Sequence, residues 1–394
     1  MPAESEHKNM NDKFENIRPY NDAEAVQAIA KLFGNQEFVN NLSFLKDQFN
    51  IDELVETALS CRSIFDFQNK FSSRIFKYFI QKSSSTTHFS GIENINPNTP
   101  YLFIANHRDI VLDSSSLQRY FFDNHLPGTK TAIGDNLITS PFFVELARIN
   151  NMLLVLRSSS IHEKISNLHL LSEYIHHSIF EDKESVWIAQ RSGRTKDGYD
   201  KTQQGLIKML SMAKKKDPLE CLKELRVTPV TISYEYESCD QLKAREMALS
   251  ENGDYVKKPD EDFKSIVQGV FGYKGEIRLH IGTPIIDEID NIDKSLNPND
   301  QLYEVTKLVD QQIYANYHLF KNNYIAFDFQ EQSNEFESHY SLQEKEKFLA
   351  YLKEKSNISD VSDAKMMHHL LQIYANPVRS KYGKPIKENI ILDS

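Results

Sequence analysis

Short apolar segments that alternate with segments of helical spacing occupy the middle of this 394-residue chain. The predicted strands are Tyr101–Ala105, Thr131–Gly134, Met152–Leu156, Val186–Ala189, Thr228–Tyr234 and Glu276–Ile281. The predicted helices between and after them lie near Ser114–Asp123, Ser140–Ile149, Ile161–Phe180, Lys201–Lys215 and Asp300–Tyr317. Buried strands that alternate with helices are typical of an α/β sheet with helices on its faces. We therefore predict an α/β fold with a mixed, largely parallel sheet flanked by helices.

Helical patterns extend this α/β region at both ends, after residues 1–20, which we expect to be a loose tail. Between residues 22 and 82, apolar residues recur at three- and four-residue steps. At the other end, helices are predicted at Glu304–Asn316, Leu342–Lys353 and Asp363–Ala375, with a tail from Pro377. Ser83–Thr87 is rich in Ser and Thr and indicates a linker, and Cys239–Lys264 is a polar excursion between strands. The predicted regions are an N-terminal tail and helical region (1–87), an α/β domain (88–290) and a helical C-terminal region (291–394).

Composition and charge argue against several classes of protein. The net charge is −10 with a pI near 5.8, whereas general nucleic-acid binding needs a basic face that neutralises phosphates. No segment approaches the roughly 20 apolar residues that span a bilayer, and residues 1–21 contain no apolar run typical of a signal peptide. The three cysteines, Cys61, Cys221 and Cys239, have no metal-ligand spacing. We expect a cytoplasmic protein, free or peripheral at the inner membrane face, that binds no nucleic acid.

One predicted helix, between Phe65 and Ile80, combines aromatic and basic residues. It carries three cations beside an apolar face, namely Lys70, Arg74 and Lys77 with Phe71, Ile75 and Phe79. A basic amphipathic helix with aromatic residues can lie on an anionic bilayer. The alternative is that the apolar face packs on the α/β domain, which is the more common role of such a face. A membrane surface is therefore an expected partner, and this helix is one candidate for the contact.

The strongest candidate for chemistry lies directly after the first predicted strand, where a polar cluster contains His107, Asp109 and Asp113. In open α/β sheets, ligands bind beyond the carboxyl ends of the strands. Neutral imidazole accepts a proton at cellular pH, and a carboxylate can orient it by accepting its other N–H. The chain has no Gly-x-Ser-x-Gly motif, so a base here would activate a substrate hydroxyl. A structural histidine at a strand end is the alternative, and no further histidine or carboxylate cluster supports a metal.

Basic residues follow two further predicted strands. Arg157 follows the third strand, and Arg191, Arg194 and Lys196 lie in the loop after the fourth. Arginine offers a bidentate fork to a phosphate and lysine a point charge, so these residues can hold an anion together. The alternative is a solvated loop, which is what a charged loop usually is.

The order of these blocks resembles the glycerolipid acyltransferase superfamily, which includes glycerol-3-phosphate and lysophosphatidic acid acyltransferases. The blocks are Asn106–Asp113, Gly134–Leu137, the strand that ends before Arg157, the basic loop after Trp187, and Pro229–Glu235. Gly275–Ile285 is similar to the strand that closes the family's domain. The resemblance covers residues 88–290.

The resemblance implies a reaction and a role for each residue. His107 would take the proton from an acceptor hydroxyl, and Asp113 would orient His107. The hydroxyl oxygen would attack the thioester carbonyl of acyl-CoA or acyl carrier protein without an acyl-enzyme intermediate. The residues implied to hold the acceptor's phosphate or another anion are Arg157, Arg194, Lys196 and Arg191. No cofactor is implied, because the acyl thioester is a substrate.

Two departures from the family pattern keep alternatives open. The family usually places four residues between the catalytic His and Asp, whereas five separate His107 from Asp113. Asp109 is the alternative acid, although it lies only two positions after His107, nearly on the opposite side of a helical segment. Residues 191–195 are Arg-Ser-Gly-Arg-Thr, where the family usually has Pro-Glu-Gly-Thr-Arg. This change leaves the acceptor open.

We therefore expect an O-acyltransferase that acylates a hydroxyl of glycerol 3-phosphate, a lysophospholipid or a related lipid acceptor. Its expected partners are acyl-CoA or acyl carrier protein, a glycerolipid acceptor and a membrane surface. Two other functions remain open at this point. One is a non-catalytic lipid or acyl-chain binding protein of the same fold, and the other is an acyl hydrolase in which His107 activates water.

Overall fold

A computed structural model describes residues 13–138, 140–214, 217–251, 253, 255–256, 258 and 261–385, and in these residues seven strands form one sheet. The strands are β1 (Thr86–Ser90), β2 (Leu102–Ala105), β3 (Lys130–Gly134), β4 (Met152–Val155), β5 (Val186–Ala189), β6 (Val227–Tyr234) and β7 (Glu276–Ile281). Their order across the sheet is β1-β7-β6-β2-β5-β3-β4. All neighbours are parallel except β6 and β7. The predicted mixed, largely parallel α/β sheet is confirmed.

The central strand β2 leads into the polar turn that contains His107. Its side chains alternate between two cores, with Phe103 and Ala105 on one face and Leu102 and Ile104 on the other. This alternation without any exposed position is typical of a strand whose sheet is covered on both faces. Strands β3, β4, β5 and β6 run in the same direction as β2. The loops that follow these five strands therefore all lie at the carboxyl ends of the strands, on the same side of the sheet.

Helices cover the sheet and extend it at both ends. Before β1 they are Asp22–Phe33, Gln36–Asn41, Ile51–Ser60, Ile64–Phe67 and Ser73–Ser83, with a π-helical segment at Gln68–Ser72. Between β2 and β7 they are Leu112–Asp123, Pro141–Ile149, Ile161–Phe180, Gln204–Leu210, Pro218–Glu224, Asp240–Ser250 and Glu261–Phe271. After β7 they are Ile286–Asp290, Pro298–Ala315, Lys321–Glu331, Leu342–Ser356 and Asp363–Tyr382. The predicted helical additions at both ends are confirmed.

Strand β1 lies where the sequence indicated a linker. Ser83 ends a helix, and Thr86–Ser90 pairs in parallel with β7 at the edge of the sheet. Because an edge strand is covered less than a central one, β1 can be polar and mostly exposed, and it lacks the apolar signal by which the other strands were predicted. The predicted boundary after residue 87 falls inside this strand. The division into three regions otherwise stays a prediction.

The last helix continues through a proline at which a tail was predicted to begin. Asp363–Tyr382 contains Pro377, which has no N–H for the carbonyl of Ile373. That carbonyl oxygen lies against Gly198, where an added Cβ would come within 2.1 Å of it and where φ is +78°. Proline in the helix and glycine in the facing loop therefore allow the C-terminal helix to pack closely on the loop after β5.

Three further segments differ from the sequence prediction. Residues 1–12 of the expected tail lie outside the described residues, whereas Phe14 and Ile17 are buried against the α/β region. The helix predicted over Lys201–Lys215 is Gln204–Leu210, and Lys215 lies outside the described residues. The polar segment after β6 forms two helices, because some of its charged residues, such as Lys243, are buried and paired rather than solvated.

Candidate active site

A histidine and a carboxylate meet just beyond the carboxyl end of β2. His107 Nδ1 lies 2.8 Å from Asp113 Oδ2. Because a carboxylate only accepts hydrogen bonds, Nδ1 carries the hydrogen and donates it to Asp113. The ring lines a large cavity and stands edge to face with Trp187, with 5.8 Å between the ring centroids. Nε2 is then the nitrogen that can accept a proton from a hydroxyl bound in the cavity.

Further donors hold Asp113 in this orientation. Its Oδ2 accepts hydrogen bonds from the backbone N–H groups of Arg108 and Asp109, at 2.6 and 2.9 Å. Its Oδ1 accepts one from the Tyr234 hydroxyl at 2.7 Å. Burial, followed by the negative charge of Asp113, raises the pKa of Tyr234 well above its usual value, so the hydroxyl remains a donor. The carboxylate therefore has a fixed position from which to orient His107.

Asp109 lies between His107 and Asp113 and acts as a turn residue. Its Oδ1 accepts hydrogen bonds from the backbone N–H groups of Val111 and Leu112, both at 2.9 Å. Aspartate commonly forms such a turn with its own backbone two residues further on. Among the hydrogen bonds of the described residues, His107 is bonded to Asp113 and not to Asp109.

The surroundings of Asp109 are those of a buried structural carboxylate. Its Oδ2 accepts a hydrogen bond from the Ser238 hydroxyl and lies where a Cβ on Gly269 would come within 2.6 Å. Burial raises the pKa of Asp109, but the charge of Lys274 and the hydrogen bonds outweigh it, so the pKa lies below its usual value. Asp109 is thus ionised, and it ties the turn to the segment after β6.

A buried ionic network lies behind the histidine, and the sequence interpretation missed it. Arg108 donates from Nε and Nη2 to Asp200 Oδ2, at 2.9 and 2.7 Å, and from Nη1 to Glu237 Oε2 at 3.0 Å. Asn106 Nδ2 donates to the same oxygen of Asp200 at 2.8 Å. Burial raises the pKa of Asp200, but the charge of Arg108 and the hydrogen bonds to the carboxylate together outweigh it, so the pKa lies below its usual value. The only signal in the sequence was the position of Arg108 beside His107.

The cavity beside His107 has a volume of about 1650 Å³ and a largely apolar wall. The N-terminal helical region supplies Phe38, Leu42, Leu45, Phe71, Ile75 and Phe79 to this wall. Pockets that bury a drug-sized ligand typically measure roughly 300–1,000 Å³, so this cavity can hold a larger occupant or two ligands together. The space and its lining fit hydrocarbon chains brought to the imidazole.

This wall decides between the two interpretations of the basic aromatic helix. Phe71, Ile75 and Phe79 are buried in the core that joins the N-terminal helices to the sheet, and they do not form an exposed face. The packing interpretation is therefore correct, and the interpretation of this face as a membrane contact is wrong. The apolar face of this helix is buried because it covers one side of the sheet and the cavity.

The four predicted cations fall into two groups. Arg157 and Arg191 line the cavity, as do Lys164 and Lys201, which the sequence interpretation did not single out. Arg194 and Lys196 are not among its lining residues. Lys196 is paired with Glu246. Arg194 lies near Cys239: burial raises the pKa of the Cys239 thiol, and the positive charge of Arg194 lowers it. The structure thus brings two of the four predicted cations to the cavity, and two others join them.

No helix among residues 13–385, apart from the undescribed positions within that range, is both long and apolar enough to cross a membrane. The same described residues contain no group of three or more His, Cys, Asp or Glu side chains that could hold a metal ion.

Asp310 links the helical C-terminal region to the cavity wall and should make stability depend on pH. Its Oδ1 accepts a hydrogen bond from the Thr202 backbone N–H at 2.8 Å, and burial raises its pKa to about 6. Protonated Asp310 is more favourable in the folded than in the unfolded state, because its pKa is higher in the folded state. This contribution to stability is fully present below pH 3.8 and is lost as the pH rises through about 6.

We expect Asp310→Asn, which stays neutral and keeps an acceptor for Thr202, to raise the free energy of unfolding near pH 7.5. The gain is up to about 3 kcal/mol, at about 1.36 kcal/mol per pKa unit. Denaturant titrations of variant and wild type should converge as the pH falls below 3.8, where Asp310 is protonated in both the folded and the unfolded state. A variant that is less stable than wild type at pH 7.5 would contradict this account.

Comparisons with known proteins add a family to this geometry. Residues 86–234 match a family described as Acyltransferase. A similar solved structure is that of the 1-acyl-sn-glycerophosphate (LPA) acyltransferase PlsC from Thermotoga maritima, at 14% identity and a TM-score of 0.36. The similarity covers 75% of this chain and 98% of that one. No curated protein matches the chain.

Proposed function

Because residues 86–234 match the Acyltransferase family, we propose that this chain acylates a hydroxyl of a glycerolipid acceptor. The acceptor is glycerol 3-phosphate, a lysophospholipid or a related lipid, and the donor is acyl-CoA or acyl carrier protein. The observation that carries the proposal is the hydrogen bond between His107 and Asp113 at the wall of an apolar cavity. The acyl thioester is a substrate, and the proposed reaction needs no cofactor.

The reaction follows from the protonation of the histidine. His107 Nε2 takes the proton from the acceptor hydroxyl while its oxygen forms a bond to the thioester carbonyl carbon. Asp113 accepts a hydrogen bond from Nδ1–H and stabilises the imidazolium that forms. The tetrahedral intermediate then collapses, the C–S bond breaks, and the imidazolium returns a proton to the leaving thiolate. The products are the acylated lipid and a free thiol, and no residue of the protein is acylated.

The cavity suggests how each substrate binds. The apolar wall accommodates the acyl chain, and the cations Arg157, Lys164, Arg191 and Lys201 hold the phosphate of the acceptor. Arg194 and Lys196 would contribute only if the loop that carries them moved. The volume of about 1650 Å³ favours an acceptor with a hydrocarbon chain of its own, which makes a lysophospholipid the first acceptor to test.

The test is an acyl-transfer assay with purified protein, an acyl thioester and either glycerol 3-phosphate or lysophosphatidic acid. We expect release of free thiol that depends on the acceptor, together with an equal amount of acylated lipid. Free fatty acid released without an acceptor would identify a hydrolase. Tight binding of acyl chains without turnover of either acceptor would identify a binding protein. Either of these results would refute the proposed transfer.

We also propose that the protein works as a peripheral protein on the cytoplasmic face of a membrane, through an apolar rim around the cavity. The rim consists of Phe44, Phe143 and Phe263, which line the cavity and yet are 54%, 42% and 56% exposed. The ring of Phe44 packs edge to face against the ring of Phe271. Lys82 Nζ lies over the Phe271 ring, 5.7 Å from its centroid. Aromatic residues beside a cation suit the headgroup region of an anionic bilayer.

We expect the double substitution Phe44→Ser and Phe263→Ser to weaken partitioning to anionic liposomes by roughly tenfold or more, since burying a phenylalanine contributes about 1.5–3 kcal/mol. Liposome sedimentation measures the effect. Leu342→Ser is the matched control, because Leu342 is exposed, begins a helix of the C-terminal region and does not line the cavity. Equal loss of binding in the rim variant and the control would remove the rim from this role.

A further inference from the structure

Arg108 follows His107 in the chain and is buried. Its guanidinium lies between the carboxylates of Asp200 and Glu237. It donates two hydrogen bonds to Asp200 and one to Glu237, and Nη2 also donates to the Gly198 carbonyl oxygen at 3.2 Å. Removing one partner of a buried ion pair leaves an uncompensated charge, so such an arrangement tolerates little change. The guanidinium of Arg108 is therefore held in one position by two buried carboxylates.

The backbone of Arg108 is held on both sides as well. Its N–H donates to Asp113 Oδ2 at 2.6 Å, and its carbonyl oxygen accepts a hydrogen bond from Lys243 Nζ at 2.8 Å. Lys243 in turn is paired with Glu237. The N–H that bonds Asp113 thus belongs to a residue whose side chain and carbonyl are both anchored to the same ionic network.

This network also reaches the helical C-terminal region. The Tyr317 hydroxyl donates to Asp200, and the backbone N–H of Glu237 donates to the Tyr374 hydroxyl at 3.0 Å. Arg108 itself is not among the residues that line the large cavity. Any effect of Arg108 on the reaction is therefore indirect, either through Asp113 and His107 or through Asp200, whose neighbours Tyr199 and Lys201 line the cavity.

We propose that Arg108 is a positioning residue, whose ion pairs with Asp200 and Glu237 hold the turn so that Asp113 keeps His107 oriented with Nδ1 protonated. The network makes the C-terminal helices part of the support of the active site, although the hydrogen bond of the His107 ring is to Asp113 and not to those helices. The kinetic part of this inference rests on the proposed acyl transfer, whereas its structural part does not.

The test variant is Arg108→Lys, which keeps a positive charge between the two carboxylates and removes the fork. The direct readout is the far-downfield proton resonance of a histidine N–H bonded to a carboxylate, assigned by its loss in His107→Ala. We expect Arg108→Lys to shift or abolish this resonance and to lower kcat about tenfold, the size of a lost charge-assisted hydrogen bond, with KM for the acyl thioester within about twofold.

The matched control is Arg379→Lys. Arg379 is equally buried and is paired with Glu331, but it lies in the last helix and away from the cavity. We expect this control to lower Tm and to leave both the resonance and kcat unchanged. If Arg108→Lys does not fold, Glu237→Gln, which weakens the same ion pair at nearly constant volume, takes its place with the same expected readouts.

Three results would overturn the positioning role. The first is a folded variant with unchanged resonance and unchanged kcat. The second is a rise in KM with kcat unchanged, because that would place the effect on binding. The third is an Arg379→Lys protein that loses the resonance equally. If wild type transfers no acyl group while Arg108→Lys still loses the resonance, the proposed function fails and the positioning role stands.

Discussion

Replacing His107 with alanine should lower kcat for acyl transfer by roughly 10²–10⁴-fold, which is the usual contribution of a positioned general base. The variant can no longer remove the proton from the acceptor hydroxyl, so the hydroxyl must attack as a poor nucleophile. KM for the acyl thioester should change little, because the apolar wall and not the imidazole provides most of the cavity surface. Release of free thiol and formation of the acylated lipid, measured in parallel, give both constants.

A control with a second histidine separates a loss of chemistry from a loss of structure. His280 in β7 is half-buried, its Nδ1 lies 3.0 Å from Ser90 Oγ, and it does not line the cavity. His280→Ala should therefore keep kcat close to that of wild type, although it also removes a half-buried imidazole. Equal activity of His107→Ala and wild type would exclude His107 as the base and with it the proposed mechanism.

The sequence predicted the central strands because their burial repeats with a simple pattern. A strand covered on both faces, such as β2, needs an apolar run, and that run can be recognised without knowing its neighbours. Edge strand β1 has no such requirement and was missed. The periodicity of the N-terminal helices was also recognised, but periodicity shows only that a face is buried. That Phe71 and Phe79 face a cavity beside His107 depends on tertiary packing.

The site was predictable only where its residues lie near each other along the chain. His107 and Asp113 belong to one turn, so a local pattern could connect them. Arg108 is paired with residues 92 and 129 positions further on, and charged residues in a sequence are normally interpreted as exposed. For the same reason Lys196 was assigned to an anion site, although its charge is neutralised by Glu246, 50 residues away.

Asp113→Asn and Asp109→Asn should separate the two carboxylates near His107 by different measurements. In Asp113→Asn, the amide oxygen can still accept from the backbone N–H groups of Arg108 and Asp109, so the turn should persist. The negative charge that stabilises the imidazolium is lost. A charge-assisted hydrogen bond contributes about 1.5–3 kcal/mol, and 1.36 kcal/mol is a factor of ten, so kcat should fall by roughly 10–10²-fold. Tm should change little.

Asp109→Asn should have the opposite profile. Its side chain supports the turn through Val111 and Leu112, which an amide oxygen can still do, but buried Lys274 loses the carboxylate charge that offsets its own. An uncompensated buried charge destabilises the fold, so Tm should fall while kcat of the folded protein stays within about threefold of wild type. A larger loss of kcat in Asp109→Asn than in Asp113→Asn would reassign the orienting acid.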